Sequence, residues 1–405
     1  MPEHFPHRAI CQLRMRGQVI KDHFASQVLA SNPLGDPAER DLLVYLPPGY
    51  EHSPRLRYPV VFALAGYSEI DASLENWLPF QPTLSDRLDL LTAQGLLGAG
   101  LIVVMPDCFT AYGGSQYVNS PAVGPYDDYL VQELVPYIDR TYRTLGRRGI
   151  FGKSSGGYGA LRGGMLHPDI WSAVACHSGD LLFELCYASD FPTFCNIIHR
   201  AGGLESWYNA FLTRIQKTEE DMTALNILAM AACYSPQSEL APFPFRFPFD
   251  LQTCERLPDV WERWQANDPV RMVEDRPIQE ALRSLKLLYF DCGSRDQYLL
   301  HFGARGSSPL TGGRTGNLLA RTSAWSLGSR WVGKRSRAWT PASLWLNPGQ
   351  GSDLVAQQFI NAPHVIGESS SHGRSALEAG MPFPCRCIAH RTQFVVRPTE
   401  IVGGA

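Results

Sequence analysis

The sequence has no apolar run of the length that a membrane helix needs, and its first residues form no apolar core. Crossing a bilayer takes about 18 or more consecutive apolar residues, and a secretory signal needs a shorter but uninterrupted apolar segment. Residues 1–17, MPEHFPHRAICQLRMRG, are instead broken by prolines and charges. These absences exclude a membrane-spanning class, and we expect a cytoplasmic protein.

Paired cysteines and basic clusters are also missing. The ten cysteines include no C-x-x-C pair, and a chain of 405 residues can build its core without disulfide bonds. Cys385, Cys387 and His390 lie close together, but a one-residue ligand spacing is unusual for structural zinc, so we expect no metal site. A net charge of −3, without a run of Lys and Arg before the C-terminal region, excludes a basic nucleic-acid-binding or membrane-surface protein.

Short apolar runs rich in β-branched and aromatic residues recur along the first 300 residues. Several are continuous rather than alternating, which is typical of strands buried on both faces. Between them, residues 126–142 place apolar side chains on one stripe of a helix. This alternation predicts an α/β fold with a mostly parallel central sheet flanked by helices. The predicted strands are DLLVYLP (41–47), YPVVFALAG (58–66), LIVVMP (101–106), GIFG (149–152), WSAVACHSG (171–179) and LKLLYFDCG (285–293).

A stretch from about residue 181 to 280 interrupts this alternation. It is helical in pattern, rich in Phe, Tyr and Trp, and contains the proline-broken segment PFPFRFPFD (242–250). Because it leaves from the carboxyl end of a predicted strand, where α/β sheets bind ligands, we interpret it as a helical cap insertion over a binding cleft. The alternative interpretation is a set of peripheral helices.

The composition changes again after residue 305. Residues 306–405 have nine Arg, one Lys and four acidic residues, a net charge of +6, which leaves about −9 on residues 1–305. We therefore predict one domain over residues 1–305, including the insertion, and an atypical tail over residues 306–405. A shift of reading frame in a GC-rich coding sequence would produce such a change. Resequencing the locus and translating the other frames tests this hypothesis.

The segment GIFGKSSGGYGAL (149–161) has two adjacent serines among glycines. In a Gly-x-Ser-x-Gly nucleophile elbow, the serine lies where a strand turns sharply into a helix, and the flanking glycines avoid clashes. Gly152 and Gly156 give this spacing around Ser154, whereas Ser155 lacks the upstream glycine. The pattern predicts Ser154 as a nucleophile.

A serine nucleophile needs a histidine to accept its proton and a carboxylate to orient that histidine. Asp291 lies at the end of a predicted strand, where capping the next turn is its simpler role, and Asp296 lies in the loop beyond. We predict Asp296 as the acid, because a carboxylate in that loop can reach a histidine above the sheet.

An oxyanion hole needs two main-chain N–H donors. Ser155 directly follows the nucleophile at a helix start, and Tyr67 follows a predicted strand at a turn that Gly66 permits. We predict these two amides as the donors. The side chains of Tyr67 and Trp77 either line a substrate pocket or are buried aromatics.

Six segments together resemble the esterase family of α/β-hydrolases, which includes esterase D (S-formylglutathione hydrolase), enterochelin esterases, feruloyl esterases and mycolyltransferase antigens. The resemblance covers roughly residues 35–305. It implies an α/β-hydrolase fold, no metal or organic cofactor, and a small-molecule ester or thioester substrate. It also implies an acyl-enzyme on Ser154, with Asp296 as the acid and the amides of Tyr67 and Ser155 as oxyanion donors. The segments are LVYLPPGYE, YPVVFALAGYS, LIVVMPD, YLVQELVPYIDRTYR, GIFGKSSGGYGALRGGMLHPDIWSAVACHSGD and YFDCGSRDQYLLHFGAR.

The catalytic histidine is the part that the sequence does not supply. The resemblance places it a few dozen residues after the acid, in a short loop after one more strand and helix, and a shift of reading frame could remove all three. His301 follows Asp296 by only five residues and falls at a helix start. Of His364, His372 and His390, we retain His372, in SSSHGRS, for its small polar neighbours. Two alternatives to hydrolysis stay open: acyl transfer to an alcohol, and a hydrolase-like scaffold without its general base.

Overall fold

The centre of the molecule is an eight-stranded sheet, and two further short strands form a separate hairpin. The computed structural model describes residues 16–76, 81–306 and 318–323. The strands are β1 (Gln18–Ala25), β2 (Glu39–Leu46), β3 (Tyr58–Leu64), β4 (Ile102–Pro106), β5 (Asn119–Ser120), β6 (Gly124–Pro125), β7 (Thr144–Lys153), β8 (Ala173–His177), β9 (Leu287–Gly293) and β10 (Leu318–Ser323).

The strand order in the large sheet is β1-β2-β4-β3-β7-β8-β9-β10. β2 is antiparallel to both of its neighbours, and all strands from β4 to β10 in this order run parallel. The predicted mostly parallel sheet is therefore confirmed. Because the parallel strands end at one edge, the loops that follow β3, β7, β8 and β9 meet there.

Both faces of the central strands are covered, which explains their continuous apolar sequence. On β3, Val60 and Phe62 belong to one apolar core, whereas Val61 and Ala63 belong to a second core on the other face. All four residues are at most 4% exposed. Side chains alternate between faces with a period of two, so a strand buried on both faces needs apolar residues at every position.

Helices pack on the sheet and form the stretch between β8 and β9. The helix predicted over residues 126–142 is present, with a π-helical turn in its middle. The helices are α1 (Leu84–Ala93), α2 (Tyr126–Asp128), the π-helix Tyr129–Leu134, α3 (Val135–Thr141), α4 (Ser155–Leu166), α5 (Phe183–Cys186), α6 (Phe191–Arg200), α7 (Leu204–Thr213), α8 (Glu219–Tyr234), α9 (Pro258–Gln265), α10 (Pro269–Met272), α11 (Arg276–Ser284) and α12 (Leu300–Gly306).

The insertion between β8 and β9 is helical, as predicted, and its aromatic rings pack against one another. Phe191 contacts Phe249 and Trp264, with ring centroids 4.4 Å and 5.7 Å apart. Tyr234 lies 6.0 Å from Tyr158 of α4, and all five rings are at most 4% exposed. The aromatic residues therefore join the insertion to the helix that follows Ser154. A position over a binding cleft stays a prediction.

A further strand, β10, lies beyond residue 305. β10 pairs in parallel with β9, so that Leu318 lies opposite Leu288. The sheet thus includes a segment of the atypical tail. Residues 307–317 and 324–405 lie outside the described residues, so the domain boundary and the reading-frame hypothesis stay predictions.

A histidine–aspartate pair joins the end of α4 to α2. His167, directly after α4, has Nε2 3.0 Å from Oδ2 of Asp127 in α2, and Nη1 of Arg162 lies 3.7 Å from the same oxygen. The hydrogen bond to Asp127 raises the pKa of His167 above its usual value of about 6.5. The protonated histidine is therefore favoured in the folded protein.

We expect Asp127→Asn to remove a pH-dependent part of the stability. A raised folded-state pKa stabilises the fold below the unfolded pKa, and this contribution is lost as the pH rises through the folded pKa. We expect this contribution to the free energy of unfolding to be about 1 kcal/mol or less. Urea unfolding of both proteins between about pH 6 and 8 measures it. Asp128→Asn is the matched control, because Asp128 contacts Gln132 instead. The same pH dependence in both variants would contradict the prediction.

Candidate active site

Ser154 lies between the end of β7 and the start of α4 in a strained backbone conformation. Its φ of 55° and ψ of −124° are unusual for a residue with a side chain. A Cβ on Gly152 would lie 2.4 Å from the main chain of Gly156, and a Cβ on Gly156 would lie 2.2 Å from the carbonyl oxygen of Leu64. Only glycine fits at these two positions. The strand–turn–helix context that the sequence pattern requires is therefore present around Ser154.

The two adjacent serines have different surroundings. Ser154 is half-buried, and its Oγ lies 3.3 Å from Oδ1 of Asp180. Ser155 is only 4% exposed, and its hydroxyl donates to Oδ2 of Asp180 at 2.9 Å and accepts from Nε2 of Gln116 at 3.1 Å. The Ser155 hydroxyl is thus held in a buried network. This difference supports the choice of Ser154 as the nucleophile.

The two predicted oxyanion donors belong to segments that meet at the elbow. Ser155 is the first residue of α4, where N–H groups have no acceptor within the helix and the helix dipole favours negative charge. Tyr67 lies in the loop after β3, and the carbonyl oxygens of Leu64, the last residue of β3, and Ala65, the first residue of the loop, approach Gly156. Both amides are therefore at the edge of the sheet that carries Ser154.

Tyrosine side chains fix the loop after β3. The Tyr67 hydroxyl donates to the carbonyl of Tyr112 at 2.7 Å, and the Tyr117 hydroxyl donates to the carbonyl of Ala65 at 2.6 Å. The Tyr67 side chain therefore supports the loop that carries its own amide. Trp77, the other aromatic considered for a substrate pocket, lies outside the described residues.

Three charged side chains surround the elbow. Oε2 of Glu69 accepts a hydrogen bond from the Gly66 N–H at 2.9 Å, and burial raises the pKa of Glu69. Burial also lowers the pKa of Lys153, and the negative charges of Glu69 and Asp296 oppose that shift. Lys153, the residue before Ser154, therefore interacts electrostatically with Glu69 in the loop after β3 and with Asp296 in the loop after β9.

The structure gives hydrogen-bond partners to both of the aspartates considered for the acid. Asp296 is half-buried, and its Oδ1 accepts from the N–H groups of Tyr298 at 2.9 Å and Leu300 at 3.4 Å, at the start of α12. Asp291 was expected to cap a turn, but its Oδ1 lies 2.7 Å from Nδ1 of His177. That expectation is wrong because the register of β8 and β9 places His177 opposite Asp291. The assignment of Asp296 as the catalytic acid stays a prediction.

His177 was missed in the sequence. Its carbonyl oxygen accepts the N–H of Ser154 at 3.0 Å, and its ring lies against Asp291, Tyr289 and Phe151. The only signal was its position at the end of a predicted strand, in CHSGD. A histidine–carboxylate pair thus lies at the edge of the sheet that carries the elbow.

The proposed base, His372, lies outside the described residues, as do His364 and His390. Among the histidines that the structure describes, none is hydrogen-bonded to the Ser154 hydroxyl. His301 lies in the first turn of α12, as expected, where burial lowers its pKa. The general base therefore stays a prediction.

A buried polar cluster beside Ser154 was also missed. Its centre is Asp180, whose Oδ2 accepts from the Tyr187 hydroxyl at 2.8 Å as well as from Ser155. Nε2 of Gln116 lies 3.1 Å from the same Tyr187 oxygen. These residues come from the loop after β8, the insertion, α4 and the loop after β4. No local pattern marks contacts between segments so far apart in the chain.

The part of the chain that the structure describes has neither a metal-binding cluster nor a membrane helix. Residues 16–76 and 81–306 contain no group of three or more His, Cys, Asp and Glu side chains that could hold a metal ion. Cys385, Cys387 and His390 lie outside these ranges. None of the helices described above is long and apolar enough to span a membrane.

The sheet order, the antiparallel β2 and the serine elbow between β7 and α4 define an α/β-hydrolase. Residues 35–305 match the model of the esterase family described as "Putative esterase". The match covers well over half of the chain, so the protein belongs to this family, which makes it a carboxylic ester hydrolase. No match was found among curated proteins.

Solved structures with a similar fold include three hydrolases. A ferulic acid esterase is 21% identical with a TM-score of 0.46, and the alignment covers 76% of this chain and 92% of that one. An S-formylglutathione hydrolase from Agrobacterium tumefaciens is 17% identical with a TM-score of 0.44, covering 76% and 87%. The fluorophosphonate-binding serine hydrolase F of Staphylococcus aureus is 15% identical with a TM-score of 0.44, covering 76% and 90%.

Proposed function

We propose that the protein cleaves a small carboxylic ester or thioester through an acyl-enzyme on Ser154. The observation that carries the proposal is the position of this serine. It lies at a strained turn between a strand and a helix, directly before α4, and the end of β3 approaches the first turn of that helix. Such turns expose a serine at the top of a parallel sheet, where it can attack a bound carbonyl.

The reaction has two halves. In the first, Ser154 Oγ bonds to the carbonyl carbon while its proton passes to the general base, His372 in our prediction, which Asp296 orients. The N–H groups of Ser155 and Tyr67 donate to the oxyanion. The bond to the leaving oxygen or sulfur then breaks, and the leaving group takes the proton from the base. In the second half, water attacks the acyl-enzyme in the same way, which releases the acid and frees the serine.

A fluorophosphonate probe tests the proposal directly. The probe forms a stable bond only with an activated serine, and mass spectrometry of the digested protein locates the adduct. We expect the adduct on Ser154, and Ser155→Ala is the matched control that should keep it. An adduct on Ser155, or an unlabelled wild-type protein, would contradict the proposal. The second outcome would favour a scaffold without turnover. Among the described residues, Asp180 rather than a histidine contacts the Ser154 hydroxyl, and this contact favours that alternative.

Acyl transfer is the other alternative within the same chemistry. The elbow serves both reactions, because an alcohol can replace water in the second half. Product analysis separates them: with an added alcohol, hydrolysis yields mainly the free acid, and transfer yields mainly the new ester.

Glu69 is expected to act as a positioning residue for the oxyanion hole. Its carboxylate holds the Gly66 N–H and thereby closes the turn that carries Tyr67. We expect Glu69→Ala to lower kcat for ester hydrolysis about tenfold with little change in KM, because a displaced donor weakens the bond to the oxyanion more than substrate binding. Glu69→Gln, which keeps an acceptor oxygen, should retain most of the activity. Equal losses in both variants, or a change in KM alone, would argue against this role.

A further inference from the structure

A buried carboxylate lies beside the proposed nucleophile, and the acylation steps give it no task. Oδ1 of Asp180 is 3.3 Å from the Ser154 hydroxyl oxygen, and Asp180 is only 5% exposed. Its other oxygen, Oδ2, already accepts from the hydroxyls of Ser155 and Tyr187. Oδ1 has Ser154 as its partner, so it lies next to the place where a substrate carbonyl would meet the serine.

The partners of Asp180 do not balance its charge. In the described part of the chain, the side chains that contact it belong to Ser154, Ser155, Gln116 and Tyr187, and all four are neutral. A buried carboxylate without a cation is costly, and burial raises the pKa of Asp180 even though these hydrogen bonds oppose the shift. A positively charged group bound against Oδ1 would compensate this charge.

Gln116 adds a second acceptor to the same cluster. It is 1% exposed, and its Nε2 lies 3.1 Å from both the Ser155 and the Tyr187 hydroxyl oxygens. Its Oε1 has no hydrogen-bond partner among the residues that the structure describes. A buried amide oxygen without a donor is unfavourable, so this atom favours a ligand that donates hydrogen bonds.

We infer that the ester carries a primary ammonium group close to its scissile carbonyl and that Asp180 binds this group. The inference rests on the proposed function, because it places the carbonyl carbon at Ser154. A nucleophile meets its carbonyl at about 3–3.5 Å. Since Asp180 Oδ1 is 3.3 Å from the same Oγ, it can reach an ammonium on the carbon α or β to the carbonyl. The substrate class is thus an ester or thioester of an α- or β-amino acid.

Three methyl esters of one carbon chain test the inference: methyl butanoate, methyl 3-hydroxybutanoate and methyl 3-aminobutanoate. We expect kcat/KM for the amino ester to exceed that for the unsubstituted ester by about 10- to 100-fold, the usual effect of a hydrogen bond to a charged group. Asp180→Asn should reduce this ratio to near one. Asp190→Asn, at a half-buried aspartate in the insertion, is the matched control and should keep the ratio.

A binding measurement keeps the test informative if Asp180→Asn fails to fold. In the wild-type protein, 3-aminobutanoate should slow fluorophosphonate labelling at concentrations where butanoate does not. Equal rates for the three esters with normal labelling would overturn the inference and leave the proposed function standing. A preference for the hydroxy ester over the amino ester would overturn it too. If the wild type shows neither labelling nor hydrolysis, the proposed function fails and the inference fails with it.

Discussion

Ser154→Ala is expected to abolish fluorophosphonate labelling and to lower ester hydrolysis by at least about a thousandfold. The change removes the atom that forms the acyl-enzyme, and the loss of a nucleophilic serine costs several orders of magnitude in rate. The fold should persist, because alanine keeps the backbone of the elbow and, among the described residues, the serine hydroxyl has only a 3.3 Å contact to Asp180. Labelling intensity and the initial rate of acid release measure the two effects.

Ser154→Gly is the companion variant, because it also removes the nucleophile but accepts a positive φ without strain. A residue with a side chain at a φ of 55° costs about 1–2 kcal/mol relative to glycine. We therefore expect Ser154→Gly to have a free energy of unfolding about 1 kcal/mol higher than Ser154→Ala in urea. Labelling that survives in either variant would show that another residue is the nucleophile.

The elbow could be predicted because its requirements are local. Two glycines at fixed spacing, an apolar strand before them and a helix-compatible run after them are all contained in residues 149–161. The structure explains the spacing: a side chain at Gly152 or Gly156 would meet main-chain atoms within 2.5 Å. The parallel sheet was predictable for a similar reason, since strands buried on both faces require continuous apolar runs.

The polar cluster could not be predicted, because it depends on contacts between distant segments. Asp180 meets Gln116 across 64 positions, and Gln116 meets Met230 across 114. No short pattern encodes such contacts. His177 and Asp291 were misjudged for the same reason, because only the register of β8 on β9 brings their side chains together.

β10 was not among the strands predicted from the sequence, because the residue types around it are not typical of a strand. Residues 318–323, LLARTS, form a short run in a segment dominated by Arg, Ser and Gly. Parallel pairing with β9 supplies backbone hydrogen bonds to this segment. The residue types of the segment alone do not indicate this pairing. Pairing with β9, rather than a strong strand propensity of residues 318–323 themselves, therefore makes this segment a strand.

Gly156→Ala is expected to slow fluorophosphonate labelling by about 100- to 1,000-fold while Ser154 stays in place. The new Cβ would lie 2.2 Å from the carbonyl oxygen of Leu64 and 2.7 Å from that of Ala65. Both are main-chain atoms, so no side-chain rotation relieves the clash, and the loop after β3 must move away from α4. This movement separates the amides of Tyr67 and Ser155, and the loss of one oxyanion donor costs about two to three orders of magnitude.

Gly293→Ala is the matched control, because an added Cβ there meets no atom within 4 Å among the described residues. We expect this variant to be labelled at nearly the wild-type rate. Gly156→Ala should also lower the free energy of unfolding, by about 1–3 kcal/mol, as overpacking of a tight contact does. Circular dichroism under labelling conditions establishes that the protein is folded. A folded Gly156→Ala variant with wild-type labelling would mean that the loop after β3 adjusts without disturbing the amides, and Tyr67 would then lose its predicted role as an oxyanion donor.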